Sequence, residues 1–212
     1  MILAAADLMP QPRVLTVTPS QPEPAAVEEA ARILMAGGLV AFPTETVYGL
    51  AADAGNPKAV ARLNRVKGRP PDKPYSIHLG DAGQVARFVR DVPPTAQRLM
   101  ERFWPGPLTI VLSADATGTV GFRLPNHPVA RAFLSRCACP VVAPSANRSG
   151  FPPPTDGKEV LSALGGDFDC LLDAGPTPLG RESSVVSVVG GALTILREGA
   201  IPAEDIEAAA RP

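Results

Sequence analysis

The sequence predicts an α/β protein in which a single mixed sheet is packed against helices. Short apolar runs typical of buried strands interleave with stretches of helical periodicity, without the strict strand–helix–strand repeat of a purely parallel sheet. The length of 212 residues fits one domain of generous size. The apolar fraction of 45% is ordinary for a globular protein and is sufficient for a sizeable core.

The helix boundaries are marked by proline, asparagine and glycine at positions where these residues favour helix ends. The first helix begins at Pro24 and ends at Gly37, and the second has its N-cap at Asn56 and ends at Gly68. Apolar periodicity predicts the other helices at residues 81–90, 94–103, 127–136, 157–164 and 203–210. Apolar runs predict strands at residues 74–80, 106–113, 119–125, 170–173, 183–189 and 192–197, with a polar turn at 115–118. Residues 39–50 are predicted as a strand running into a turn, and residues 139–147 as a buried strand ending in a loop.

The predicted domain organisation is one main domain, residues 24–212, preceded by an arm, residues 1–23. The arm is rich in proline and polar residues, and we expect it to be either strand-like or a loose leader. It has no basic residue ahead of its short apolar run, and no run approaches membrane-spanning length. We therefore expect a cytoplasmic protein with no membrane partner.

The composition excludes several classes of function. A net charge of −1 argues against wholesale attraction to nucleic acid, so an anion site must be a local cluster of cations. The three cysteines suit a reducing compartment, and we expect no metal ligands because Cys137 and Cys139 have no second closely spaced pair. Glycine-rich phosphate loops and the motifs of zinc proteases and serine hydrolases are missing. An enzyme with this sequence is expected to work by positioning and electrostatics.

Alternation along the predicted strands gives a first indication of a site. Successive strand residues point to opposite faces of a sheet. This groups polar residues on one face of three segments: Thr44 with Thr46, Ser76 with His78, and Thr119 with Gly121 and Arg123. These faces carry few of the lysines and glutamates that cover exposed sheets. They are either an ordinary solvated face or a recessed polar surface, and the composition favours the second.

A cluster of cations lies in the stretch KGRPPDKPYSIH, residues 67–78. It holds Lys67, Arg69 and Lys73 but a single acid. Guanidinium groups bind phosphate or carboxylate in bidentate geometry, and ammonium groups add a movable charge. The prolines restrict the backbone, so less entropy is lost on binding. The cluster suits a polyanion, and a solvated basic loop is the alternative.

Polar side chains also follow or begin other predicted strands. In PSANRSGFPPPT, Ser145 and Asn147 can contact phosphate oxygens or a base, or can simply form a turn. Paired serines begin the predicted strand in RESSVVSV. A different predicted strand ends at LREG, which contains Arg197. Loops of this kind commonly carry functional sites.

Together these stretches resemble the YrdC/Sua5 family, the L-threonylcarbamoyladenylate synthases. The matching stretches follow one another in the family's order from about residue 26 to residue 201. The short motifs K-x-R and S-x-N, which are weak on their own, are specific in this company. The matching stretches are FPTETVYGLAAD (42–53), KGRPPDKPYSIH (67–78), PGPLTIVL (105–112), FRLPNHP (122–128), APSANRSGFPPPT (143–155), SSVV (183–186) and LREGAI (196–201).

The resemblance implies an open, twisted sheet with a large concave basic groove. It implies a reaction in which L-threonine, bicarbonate and ATP, together with Mg²⁺, give threonylcarbamoyl-AMP and pyrophosphate. A partner threonylcarbamoyl transferase complex then forms N6-threonylcarbamoyladenosine in tRNA, and direct contact with tRNA is an open alternative. Because the chain ends soon after GAI, the resemblance implies the short form without a C-terminal Sua5 domain.

The resemblance also implies roles for individual residues. The implied catalytic residues are Lys67, Arg69, Ser145 and Asn147. The implied ATP contacts are Arg69, Lys73, Thr119, Ser145, Pro153 and Arg197. The implied threonine contacts are Thr46, His78, Arg123, Ala143 and Ser183. We expect the cations Lys67, Arg69 and Lys73 to stabilise charge on the phosphates.

The chain departs from the family pattern at three positions. Ser184 stands where the family usually has threonine, Ser187 where it has an acid, and Glu198 where it has proline. The first change keeps a hydroxyl group, whereas the second removes a charge. Two other functions remain open from the sequence: an RNA-binding protein that uses the basic groove without chemistry, and a carbamoyl-transferring paralogue of the same fold.

Overall fold

The computed structural model describes residues 11–70, 73–114 and 118–211, and within them it confirms the predicted α/β class. The helices are α1 (Pro24–Met35), α2 (Pro57–Lys67), α3 (Pro94–Phe103), α4 (Pro128–Arg136), α5 (Gly157–Leu164) and α6 (Ala203–Ala210), with a 3₁₀ helix at Ala82–Arg87. The strands are β1 (Arg13–Thr16), β2 (Val40–Phe42), β3 (Gly49–Asp53), β4 (Ile77–His78), β5 (Leu108–Ala114), β6 (Gly118–Arg123), β7 (Val141–Val142), β8 (Cys170–Asp173), β9 (Ser184–Val189) and β10 (Ala192–Arg197).

The strands of the described residues form one mixed sheet in the order β1-β8-β2-β3-β7-β4-β6-β5-β9-β10. Parallel and antiparallel pairs both occur, as the irregular alternation of helices and strands predicted: β4 runs parallel to β6 and antiparallel to β7. Strand β1 pairs in parallel with β8, so this part of the predicted arm is an edge strand of the sheet. The boundary at residue 23 stays a prediction, and residues 1–10 lie outside the described residues.

The predicted helix ends are confirmed where the local chemistry is strongest. The Asn56 side chain accepts hydrogen bonds from the backbone N–H groups of Lys58 and Ala59, and Gly68 ends α2 with a positive φ of 59°. Helix α1 begins at Pro24 and buries one apolar face. These caps satisfy backbone groups that a helix end otherwise leaves without partners.

One sequence prediction was incomplete and another was wrong in detail. The stretch 39–50, predicted as a strand running into a turn, contains β2 and that turn, but the turn leads into a further strand, β3, that the sequence did not predict. The Thr44 hydroxyl closes this turn by donating to the Val47 carbonyl at 2.8 Å. The helix predicted at 81–90 is the shorter 3₁₀ helix, capped by the Asp81 carboxylate. The predicted turn at 115–118 lies outside the described residues except for Gly118.

Two apolar clusters cover opposite faces of the sheet and leave part of one face open. Helices α2, α3, α5 and α6 pack on the face that contains Leu50 and Phe122. Helices α1 and α4 pack on the other face, which contains Phe42 and Val141, over the half of the sheet near β1, β8, β2 and β3. Within the described residues, the apolar cluster on this face includes no residue of β4, β6, β5 or β9, and the candidate site lies on that part of the face.

Candidate active site

A cavity of about 190 Å³ lies against this uncovered face, and we call it the sheet cavity. Ser76, His78 and Arg123 line it, as the alternation of strand residues predicted. His78 and Arg123 are directly paired across β4 and β6. Gly121 is required beside them, because a Cβ at this position would lie 2.6 Å from the Ser76 hydroxyl oxygen. The strand register therefore places a hydroxyl, an imidazole and a guanidinium on one wall.

The Arg123 guanidinium is buried but is not fully paired. Its Nη2 donates to the Thr46 hydroxyl at 2.8 Å and lies 3.0 Å from Glu45 Oε1. The Arg123 Nε and both Glu45 carboxylate oxygens have no aligned hydrogen-bond partner within the described residues. A guanidinium with unused donors at a cavity wall suits a carboxylate ligand, because the two groups match in bidentate geometry.

The His78 imidazole is neutral at physiological pH. Burial, and then the neighbouring Arg123 charge, lower the pKa of His78 to about 3. Its Nδ1 has no hydrogen-bond partner among the described residues, and its ring meets the Phe42 ring edge-on at 6.3 Å. A neutral imidazole beside a cation offers a hydrogen bond to a ligand without adding a second positive charge.

A second cavity, of about 290 Å³, lies between loops, and we call it the loop cavity. Its walls include Arg69 and Lys73 on one side and the segment 144–151, here called the serine loop, on the other. The Arg69 guanidinium donates to the Pro74 carbonyl at 2.9 Å and lies 4.7 Å from the centre of the Tyr75 ring. These contacts fix the direction of the guanidinium at the cavity wall.

The two cavities adjoin. Arg69, Ser145, Pro144 and Glu182 line both of them. Together their volumes fall within the range of roughly 300–1,000 Å³ that is typical of small-molecule sites. Arg69 and Ser145 lie 76 positions apart in the sequence, yet both line the two cavities. Their positions are consistent with the prediction that they converge around one ligand.

Lys67 lies in a position that the sequence did not predict. Its side chain is buried, with 3% exposure, and its ammonium group donates to the carbonyls of Ser145 and Asn147 and approaches the Asn147 side-chain oxygen at 3.4 Å. Burial, with a smaller effect of the Arg69 charge, lowers the pKa of Lys67 to about 8, and the three oxygen acceptors favour its protonated form at neutral pH. Lys67 therefore holds the serine loop, and its donors are not directed at a ligand.

The end of β10 closes the sheet cavity through Arg197. This guanidinium donates to the Ser183 carbonyl at 2.9 Å and pairs with Glu182 at 3.1 Å. The Ser183 hydroxyl lies 3.0 Å from the Thr109 hydroxyl, and both line the cavity. Backbone and side-chain contacts thus hold the start of β9 against β5 and β10.

Most of the residues implied by the resemblance line one cavity or both. The sheet cavity is lined by Arg69, His78, Arg123, Ala143, Ser145, Ser183 and Arg197. The loop cavity is lined by Lys67, Arg69, Lys73, Ser145, Asn147 and Pro153. Two residues line neither cavity: Thr46 is buried behind Arg123, and Thr119 lies exposed on β6. Sequence reasoning missed Glu45, within a matching stretch, and Glu182, directly before one; both acids pair with a cavity arginine.

The departures from the family pattern have different structural consequences. The Ser184 hydroxyl is buried, donates to the Ile201 carbonyl at 2.6 Å and accepts from the backbone N–H groups of Gly199 and Ile201. A serine therefore suffices to fix the segment after β10. Ser187 is half-buried within β9 and lines neither cavity. Glu198 lies near Arg181 on the surface, at 3.8 Å.

Among the residues that the structure describes, no group of three or more His, Cys, Asp or Glu side chains is arranged to hold a metal ion. Within the same part of the chain, every helix is too short or too polar to cross a bilayer.

Comparison with known proteins identifies several similar chains. A family model described as "Sua5_yciO_yrdC: Telomere recombination" matches residues 32–199. A threonylcarbamoyl-AMP synthase of Bacillus subtilis is 42% identical over 196 residues, which cover 88% of this chain and 57% of the relative. Its counterpart in Pyrococcus abyssi is 42% identical over 84% of this chain and 55% of the relative. The chain thus spans little more than half the length of these two relatives.

A solved structure supports the same similarity. The crystal structure of P. abyssi Sua5 complexed with L-threonine superposes with a TM-score of 0.87 at 38% sequence identity. The superposition covers 92% of this chain and 60% of the other.

Proposed function

Because the chain belongs to the Sua5/YciO/YrdC family, we propose that it makes threonylcarbamoyl-AMP and pyrophosphate from L-threonine, bicarbonate and ATP. The observation that carries this proposal is the meeting of two cavities at Arg69 and Ser145. One cavity suits a small amino acid and the other a polyphosphate, so the carboxylated amine and the α-phosphorus can meet at the junction. The names of the relatives and the threonine complex of P. abyssi Sua5 support the choice of substrates.

Threonine would occupy the sheet cavity. The unused donors of Arg123 would bind its carboxylate, and the neutral His78 imidazole would contact it without adding charge. The hydroxyls of Ser183 and Thr109 would contact the polar atoms of the amino acid. Thr46 acts differently from the role that the resemblance implies, because its hydroxyl orients Arg123 from behind.

ATP would occupy the loop cavity and the junction. The threonine amine attacks carbon dioxide and loses a proton, or attacks bicarbonate with loss of water, and either route gives a carbamate. One carbamate oxygen then attacks the α-phosphorus while the bond to pyrophosphate breaks. Negative charge develops on the oxygens around this phosphorus, and Arg69 and Lys73 are the cations placed to stabilise it. Ser145 offers a hydroxyl at the junction, and Pro153 lines the far wall. Thr119 would contact ATP only if the ligand extends beyond both cavities.

Lys67 and Asn147 would act by positioning. The hydrogen bonds of the Lys67 ammonium group all go to the serine loop. Lys67 would therefore hold Ser145 in position, in place of the phosphate contact expected from the sequence. Asn147 extends the same network, because its amide donates to the Phe151 carbonyl. These hydrogen bonds therefore join the two signature motifs.

Mg²⁺ would enter with ATP. Protein sites for Mg²⁺ commonly use one or two carboxylates together with substrate phosphates, and Glu182 is a carboxylate at the junction. The ion would neutralise charge on the phosphates. The product would pass to a tRNA-modifying threonylcarbamoyl transferase complex, and we propose that the reaction takes place in the cytoplasm.

The test is to incubate the protein with ATP, Mg²⁺ and bicarbonate, with and without L-threonine, and to measure pyrophosphate. The proposal expects release that requires threonine and bicarbonate. Release that ignores threonine would refute the substrate, and RNA binding with a steep salt dependence and no ATP turnover would favour the RNA-binding alternative.

A further inference from the structure

The serine loop ends in an aromatic residue, Phe151, whose ring is unusually exposed for its size. Its exposure is 67%, and it lines the loop cavity together with Arg69 and Lys73. A single exposed apolar side chain is normal on a protein surface. An exposed aromatic ring at the wall of a cation-lined cavity is a different case, because it offers a flat apolar face next to a site for phosphates.

The backbone beneath the ring is held in place by a chain of hydrogen bonds. The buried Lys67 ammonium group binds the Asn147 carbonyl at 2.7 Å, and the Asn147 amide donates to the Phe151 carbonyl at 2.5 Å. The Ser149 N–H donates back to the Lys67 carbonyl at 2.7 Å, and the Phe151 N–H donates to the Arg148 carbonyl at 3.1 Å. The Phe151 main chain is thus fixed relative to α2, so little entropy is lost when a ligand meets it.

The other aromatic rings of the two cavities are already engaged. The Tyr75 ring faces the Arg69 guanidinium, and its hydroxyl donates to the Asn64 side chain. Tyr48 is completely buried, and its hydroxyl donates to the Gly175 carbonyl. Within the part of the chain that the structure describes, no aromatic or cation–π contact involves Phe151. Its ring is therefore the aromatic face left for a ligand.

We propose that Phe151 is a stacking platform for the purine base of the nucleotide. This inference rests on the proposed function, which places phosphates at Arg69 and Lys73. With the amino acid in the sheet cavity and the α-phosphorus at the junction, the nucleoside extends into the loop cavity, whose apolar lining includes Phe151 and Pro153. Stacking on an aromatic ring needs no specific hydrogen bonds, because every base presents a π face.

Binding measurements with two ligands test the inference. ATP carries a base, whereas inorganic tripolyphosphate carries only the phosphates. Phe151→Ala is expected to weaken ATP binding by about tenfold, as stacking on one exposed side implies, and to leave tripolyphosphate binding unchanged. Phe151→Trp is expected to bind ATP at least as tightly as the unmodified chain. Its indole fluorescence is expected to respond to ATP and not to tripolyphosphate.

A matched control and two contrary results complete the experiment. Met35→Ala removes another exposed apolar side chain, 43% exposed at the end of α1, and is expected to leave both affinities unchanged. The inference is wrong if Phe151→Ala binds ATP like the unmodified chain. It is also wrong if the substitution weakens both ligands equally, because the ring would then only shape the loop. Failure of the proposed function is distinct, since it appears as threonine-independent pyrophosphate release by the unmodified chain.

Discussion

Replacing Lys67 by methionine removes the ammonium group that holds the serine loop and keeps a side chain of similar length. The two main-chain carbonyls that it contacts, of Ser145 and Asn147, would lose a charged donor in a buried place. A hydrogen bond to a charged group contributes about 1.5–3 kcal/mol. Part of this gain is offset because burying an ammonium group costs several kcal/mol. We therefore expect the free energy of unfolding to fall by about 2–3 kcal/mol.

The expected loss of activity is larger than the loss of stability implies. Ser145 lies at the junction of the two cavities, and a displacement of about 1 Å can cost about 10²-fold in rate. Urea unfolding measures the first effect. With a slope of about 2 kcal/mol per molar, the midpoint is expected to fall by about 1 M. Pyrophosphate release with saturating threonine and ATP measures the second.

Lys58→Met is the matched control, because Lys58 is a solvent-exposed lysine on the same helix. It is expected to change stability by less than about 0.5 kcal/mol and to leave the rate unchanged. If Lys67→Met matches this control in both measurements, the ammonium group does not hold the loop. If its rate falls by about 10²-fold while its stability is unchanged, Lys67 acts on the phosphates directly and the positioning role is wrong.

Three further substitutions test other parts of the site. Arg69→Ala is expected to lower threonine-dependent pyrophosphate release on the order of 10²-fold; a loss within about tenfold would contradict its role. Glu45→Gln removes the charge 3.0 Å from Arg123 and is expected to change the KM for threonine while leaving the KM for ATP unchanged; equal effects on both would contradict this. The pKa of His78 is lowered to about 3 from 6.5, so on acidification the unfolded chain takes up a proton before the folded one. The free energy of unfolding is then expected to fall by about 1.4 kcal/mol for each pH unit between these two values. His78→Asn is expected to reduce this pH dependence, measured by urea unfolding at several pH values. An unchanged pH dependence would assign the effect to other groups, such as His127, because burial lowers the pKa of His127 as well.

The sequence predicts the parts of the fold that local chemistry determines. Asn56 and Gly68 mark the ends of α2 because capping and left-handed backbone need those residue types. A turn after β2 was predicted, but the Thr44 hydroxyl bond that closes it was not, because a turn threonine is indistinguishable in sequence from a strand threonine. Only the folded backbone shows that β3 returns antiparallel to β2.

The site was predicted less completely than the fold, and for a physical reason. Alternation places His78 and Arg123 on one face, since strand periodicity is a local property. The role of Lys67 depends on carbonyls about 80 positions away in the chain, so no local pattern carries it. Glu182, directly before β9, is paired with Arg197 at the end of the adjacent strand β10, 15 positions further along the chain. Long-range partners of buried charges are what the structure adds.

Mass spectrometry of the nucleotide product tests the central claim most directly, because it reports whether both cavities serve one reaction. The protein is incubated with L-threonine, ATP, Mg²⁺ and isotopically labelled bicarbonate. If the two cavities serve one reaction, a threonine–carbamate–AMP adduct that carries the labelled carbon is expected to form in step with pyrophosphate. An unlabelled threonine–AMP adduct, or pyrophosphate release with no adduct, would show that they do not.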